Sequence, residues 1–219
     1  MTKDTNILDH EKMKNIENEI WLRRIANYQM MHSSFCGELG LFYGKMGIAI
    51  FFFHYARYSN NIIYEDFAGE LLDEIIEDIH DGMSVGFASG ISGIGWGIEY
   101  LVQQKFIEGN NDEILEEIDL KILEYDLLRG VDKSLETGGV GIAYYVLQRL
   151  SSLQNRKGIF DDLYLYHLKQ FCAQHQDSFR YLLRGGQVDC IDVFGRELVM
   201  KYMIPDHDLS WKKGLRIII

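Results

Sequence analysis

The sequence predicts an all-helical chain built from repeated helix pairs. Three observations carry this. Apolar residues recur at helical spacing along most of the 219 residues. Two kinds of helix alternate, one apolar on most sides and one half charged. A Gly-x-x-Gly-Ile signature returns at the start of each apolar helix. A single proline, Pro205, against 21 glycines suits closely packed helix ends better than a loop-rich β-protein.

The elements follow in order. Residues 1–10 read as frayed. Glu11 to about Met31 is one long helix, with Met13, Ile16, Ile20, Trp21 and Ile25 at helical spacing. Met46 to Tyr58 is strongly apolar. Tyr64 to Ile79 is amphipathic: Phe67, Ala68, Leu71, Leu72, Ile75 and Ile76 line one face. Glu65, Asp66, Glu70, Asp73, Glu74, Glu77 and Asp78 fill the other, which reads as a solvated outer surface. Ile91 to Phe106 is apolar again, Asp112 to Leu128 amphipathic, Val140 to Leu153 apolar, Phe160 to Cys172 amphipathic and Gln187 to Met203 mostly apolar. Trp211 to Ile219 reads as a short tail. The apolar helices should be inner and the half-charged ones outer, within a single domain over residues 1–219.

Internal repeats decide the architecture. Gly44-Lys45-Met46-Gly47-Ile48, Gly90-Ile91-Ser92-Gly93-Ile94 and Gly138-Gly139-Val140-Gly141-Ile142 match, with first glycines 46 and 48 residues apart. A further step of 48 reaches Gly186-Gln187-Val188-Asp189-Cys190-Ile191, a degenerate fourth copy in which Asp189 replaces the second glycine. The period fits two helices and their connections. Glycine inside a helix costs up to about 1 kcal/mol relative to alanine, so its return at one position implies a steric need. The inner helix N-termini should share one end, where free N–H groups and positive dipole ends make a mildly anion-attracting cup.

Bulk chemistry excludes several functions. The formal net charge is −11, with 33 acidic and 22 basic residues and no basic block, so nucleic acid and anionic membrane surfaces are poor partners. The longest apolar run, Ile48 to Phe53, is far short of the roughly 20 residues a membrane helix needs. Three cysteines, Cys36, Cys172 and Cys190, do not form a disulfide framework, and Met1 to Lys14 has no signal-peptide core. A cytoplasmic location is expected.

Leu41 to Phe53 (LFYGKMGIAIFFF), Phe87 to Leu101 (FASGISGIGWGIEYL) and Leu135 to Leu150 (LETGGVGIAYYVLQRL) resemble the glycine repeats of lanthionine synthetase C-like proteins. Ile191 to Ile218, with Trp211, is similar to a worn final repeat of that family. The resemblance implies an α/α toroid of inner and outer helices, here an incomplete barrel of about four repeats. It also implies peptide modification. The family's cyclases bind zinc at the glycine end, and the metal holds a peptide cysteine as thiolate for addition to a dehydrated Ser or Thr. Their ligands are a Cys two residues before the first glycine of one repeat and a Cys-His pair directly before that of another. Here the positions two before are Phe42, Ala88, Glu136 and Arg184, and those directly before are Tyr43, Ser89, Thr137 and Gly185. No Cys-Cys-His set exists there, so no metal, cofactor or catalytic residue is expected from the resemblance.

Other candidate chemistry is sparse. Cys172 and His175 lie three apart, with Cys190 farther on, a weak zinc pattern lacking a fourth ligand. His32, His54 and His80 are scattered. The acidic pairs Glu65-Asp66 and Glu116-Glu117 sit on outer faces, which argues against acid–base catalysis. Phe51, Phe52, Trp96, Tyr144 and Tyr145 read as core, with a peptide groove as the alternative. No phosphate loop, dinucleotide fingerprint or nucleophile elbow is present.

The expected function is therefore a zinc-less accessory protein that holds a precursor peptide or a peptide-modifying enzyme. Its surface would be the glycine end: Tyr43, Gly44, Gly47, Ser89, Gly90, Gly93, Thr137, Gly138 and Gly141. Two alternatives stand beside it. One is an active peptide cyclase or other peptide-modifying enzyme with an unconventional site. The other is a scaffold that self-associates, a homodimer capping the apolar ends of an open array.

Overall fold

The computed structural model describes residues 2–109, 112–152, 159–179, 196 and 198–219. Its helices are α1 (Thr2–His32), followed by a 3-10 turn (Ser33–Phe35), α2 (Lys45–Ser59), α3 (Ile62–Asp78), α4 (Ile91–Gln103), α5 (Asp112–Leu123), α6 (Gly139–Ser152), α7 (Asp162–Gln174) and α8 (Trp211–Ile218). No strand occurs among the described residues. No described helix is long and apolar enough to cross a membrane. The degenerate fourth glycine copy at 186–191, and most of the helix expected over Gln187 to Met203, lie outside the described residues.

Helix ends follow from local chemistry. Asn60 takes a left-handed conformation (φ 49°) and lets the Asn61 N–H reach back to the Ala56 carbonyl at 3.1 Å, which stops α2. The Asn61 side chain then accepts from the Ile63 N–H and caps α3. Lys105 (φ 57°) ends α4 in the same manner: the Phe106 N–H bonds Leu101 O and the Lys105 N–H bonds Val102 O, both at 2.9 Å. That turn is why α4 stops at Gln103 instead of continuing to Phe106.

The two helix types separate as their apolar faces require. From Lys45 to Phe53, and from Ile91 to Leu101, every residue of α2 and α4 is buried. In α3 only Ala68, Leu71, Leu72 and Ile75 are, while its acidic residues are exposed. The α2 helix packs against α3, and α4 packs against α5 and α6. In α7, Asp161 caps the helix on the Tyr164 N–H, and the Tyr164 hydroxyl reaches Ile122 O on α5 at 3.3 Å.

The segment expected as a short tail is instead the helix α8, packed against α1 and the flank of α2. Small residues permit this. Trp211 lies against Gly47, and Gly214 lies against the ring of Phe51. Gln29 of α1 donates to Leu209 O at 2.8 Å just ahead of α8. The long α1 begins at Thr2, ahead of the start read from apolar spacing. From Lys12 onward its buried residues are Leu22, Ile25, Ala26 and Gln29, whereas Met13, Ile16 and Ile20 are exposed.

One acidic residue of an outer helix departs from the solvated pattern. Asp119 of α5 is 1% exposed, Glu99 of α4 is 1% and Arg149 of α6 is 0%. The guanidinium bonds Glu99 Oε1 at 2.6 Å, Asp119 Oδ2 at 3.0 Å and Asp112 Oδ1 at 3.1 Å. The Tyr145 hydroxyl donates to the other Asp119 oxygen at 2.5 Å. This buried network ties α4, α5 and α6 together.

Candidate functional site

The glycine end is built by three loops of one design. Each runs back over the first turn of the inner helix that it starts. The Lys45 N–H donates to Glu38 O at 2.9 Å, Ile91 to Ser84 O at 2.9 Å and Gly139 to Asp132 O at 3.0 Å. These bonds satisfy N–H groups that a helix start leaves free. They also press the loop backbone onto the glycines. A Cβ on Gly44, Gly90 or Gly138 would collide with the carbonyl of Glu38, Ser84 or Asp132, and one on Gly47, Gly93 or Gly141 with that of Leu41, Phe87 or Leu135. The second glycine also receives a neighbour: Leu41 lies against Gly93, Phe87 against Gly141 and Trp211 against Gly47. The steric need for glycine therefore comes first from each helix's own loop and second from the adjoining element.

Successive loops are joined through their backbones. The Phe42 N–H donates to Ala88 O at 2.8 Å, and the Phe87 and Ala88 N–H groups both donate to Glu136 O at 2.8 Å. Phe42, Ala88 and Glu136 each stand two residues before a first glycine. The residues directly before those glycines, Tyr43, Ser89 and Thr137, are all exposed, whereas Gly44, Gly47, Gly90, Gly93, Gly138 and Gly141 are buried. The glycines shape this end from beneath, and the side chains ahead of them form its surface.

Each surface residue has a distinct environment. The Thr137 hydroxyl donates to Asp132 Oδ2 at 2.5 Å, and the Ser134 N–H donates to Asp132 Oδ1 at 2.8 Å. These donors hold the Asp132 carboxyl below its ordinary range. Partial burial, followed by the nearby negative charge of Glu136, raises the pKa of the Tyr43 hydroxyl. Lys212, on α8, places its ammonium 4.6 Å from the centre of the Tyr43 ring and 5.8 Å from that of Trp211. Burial lowers the pKa of Lys212, and Asp206 and Glu136 oppose that shift.

Glu136, Asp206 and Lys212 were not among the surface residues expected from sequence. Glu136 had a signal, since it occupies a position compared for zinc ligands. Lys212 had none, because its approach to Tyr43 depends on where α8 docks.

The residues in the ligand positions do not fit zinc. Phe42, Ala88, Tyr43, Ser89 and Thr137 offer no thiolate or imidazole. Glu136 is a lone carboxylate whose charge acts on the Tyr43 hydroxyl and the Lys212 ammonium. Among the described residues, no group of three His, Cys, Asp or Glu side chains could hold a metal ion. Burial pushes the Cys172 thiol up to about 11, so it is protonated at neutral pH. The His175 ring lies 4.5 Å from that of Phe171. Cys190 lies outside the described residues.

The remaining sequence candidates have local partners. His32 bonds Tyr28 O at 2.7 Å, His54 bonds the Tyr100 hydroxyl at 2.8 Å, and His80 accepts from the Gly82 N–H at 3.1 Å. Glu65, Asp66, Glu116 and Glu117 are exposed. Phe51, Phe52, Trp96, Tyr144 and Tyr145 are buried in the core. A cavity of about 290 Å³ lies at the far end of α2, lined by Arg57, Asn61, Glu65, Lys105 and Phe106 among others. Its Arg57 guanidinium already serves the carbonyls of Gln104 and Lys105 at 2.9 and 3.1 Å.

Residues 36–132 match the family model described as lanthionine synthetase C-like protein. That span takes in the first two glycine loops and ends at Asp132, ahead of Gly138 and Gly141 of the third. No curated protein and no solved structure matches the chain.

Proposed function

We propose that this chain, whose residues 36–132 match the lanthionine synthetase C-like family, is a zinc-less accessory protein that holds a peptide at its glycine end. The observation that carries the reading is the run of backbone bonds from Phe42 to Ala88 and from Ala88 to Glu136. It supports a single face on which Tyr43, Ser89, Thr137 and Glu136 meet solvent above a rigid base. A tyrosine ring, two small hydroxylated side chains and a carboxylate suit an extended peptide. The family association with peptide modification gives the class of partner, a precursor peptide or the enzyme that carries it. The mismatch of the ligand positions with zinc argues for holding over cyclisation.

The test is selection of a random peptide library on the purified protein, followed by titration of the enriched peptides. Ser89→Arg and Thr137→Arg should weaken binding at least tenfold, while Glu70→Arg on the acidic face of α3 should leave it unchanged. Failure to enrich any peptide, or binding indifferent to Ser89 and Thr137, would overturn the reading.

Self-association is favoured by a separate observation, the exposure of Met13, Ile16 and Ile20 on one stripe of α1. Light scattering decides it: a monomeric mass at high micromolar concentration removes this reading.

A further inference from the structure

Lys212 is 5% exposed, yet its ammonium has no hydrogen bond or ion pair among the described residues. The charges of Glu136 and Asp206 act on it, but neither carboxylate forms an ion pair with it. What Lys212 does touch is aromatic, the faces of Tyr43 and Trp211. A buried cation without a contact anion is costly, so such a group calls for a partner. Its neighbour Tyr43 belongs to the exposed face at the N-terminal ends of the inner helices, where main-chain dipoles also favour negative charge.

We propose that Lys212, beneath the Tyr43 ring, is the binding point for a carboxylate of the bound peptide. This deepens the reading of the glycine end given above and rests on it. A carboxylate entering beside Tyr43 would form the contact ion pair that neither Glu136 nor Asp206 supplies. The Tyr43 ring, half-exposed, would cover the pair from solvent. The same chemistry could come from the C-terminus of a peptide or from an Asp or Glu side chain within it.

The experiment titrates the wild-type protein with one library-selected peptide in three forms: free C-terminal acid, C-terminal amide, and an amidated form carrying one internal Glu. The lysine εCH2 resonances are followed by NMR, with that of Lys212 assigned by its absence in Lys212→Met. The free acid or the internal-Glu form should bind at least tenfold tighter than the amide and move the Lys212 resonance, and whichever form does so identifies the source of the carboxylate. Lys212→Met should abolish the preference, and Lys212→Arg should keep it. If Lys212→Met fails to fold, Lys212→Arg supplies the assignment and the wild-type shift stands as the readout. Equal binding of all three forms with a motionless Lys212 resonance would overturn this inference and leave the peptide-holding reading intact. Absence of binding by every form would overturn both.

Discussion

The indole ring of Trp211 stands where a Cβ on Gly47 would have to be, and the carbonyl of Leu41 presses on the same space. The contact fastens the last described helix to the first turn of α2. Trp211→Ala is expected to destabilise the protein by about 3–5 kcal/mol, the usual cost of emptying a large aromatic site. Urea unfolding should show a lower midpoint at an unchanged slope. A midpoint equal to wild type would mean that α8 contributes nothing to the core.

Two glycines should respond in opposite directions to alanine. Gly93 faces the Phe87 carbonyl, a backbone group that cannot swing aside, and Leu41 Cβ lies 3.0 Å from the new methyl position. Gly93→Ala should cost about 1–3 kcal/mol or more. Gly69 sits inside α3 with open space around it. Gly69→Ala should stabilise by about 1 kcal/mol, because alanine restricts the unfolded chain and favours the helix. Thermal melts of the pair check both signs, and a destabilised Gly69→Ala would show that some neighbour fills that space.

Arg149→Met should remove about 3–5 kcal/mol, since it leaves Glu99 and Asp119 charged and buried. Burial already raises the pKa of Asp119, with the Tyr145 hydroxyl and Arg149 opposing. Adding Glu99→Gln and Asp119→Asn to the methionine variant should recover part of the loss. If the triple variant is no more stable than the single one, repacking rather than uncompensated charge explains the effect.

His54 predicts a pH dependence. Burial, followed by the Arg57 charge, lowers its pKa from 6.5 to about 4. Its folded value is below its unfolded value, so its contribution is fully present above about pH 6.5 and is lost as pH falls through about 4. The shift corresponds to roughly 3 kcal/mol. His54→Gln can still bond the Tyr100 hydroxyl and should flatten the stability profile between pH 7 and pH 4. An identical profile in the variant would assign the acid sensitivity to other groups.

Much of the helical layout was legible because it is local. The apolar spacing of α3 and the unbroken apolar run of α2 reflect the solvation of one face or of all faces of a helix. The glycine signature located the starts of α2, α4 and α6 for a steric reason that operates within about seven residues, from Glu38 to Lys45 and likewise from Ser84 to Ile91. What periodicity missed was polar and buried. Asp119 belongs to the half-charged helix α5, and Arg149 lies near the end of the apolar helix α6. Each is satisfied by residues on other helices, and no spacing along the chain announces that.

The candidate surface divides in the same way. By itself the sequence determined the helical class, the glycine loops and the residue types that stand ahead of their glycines, because those depend on local composition and near-neighbour geometry. Only the tertiary structure decided that the glycines lie buried beneath Tyr43, Ser89 and Thr137. It also turned the apparent tail into α8 and brought Lys212 under the ring of Tyr43. That approach depends on Trp211 fitting over Gly47 and on Gly214 fitting over Phe51, complementary shapes held by residues far apart in the chain.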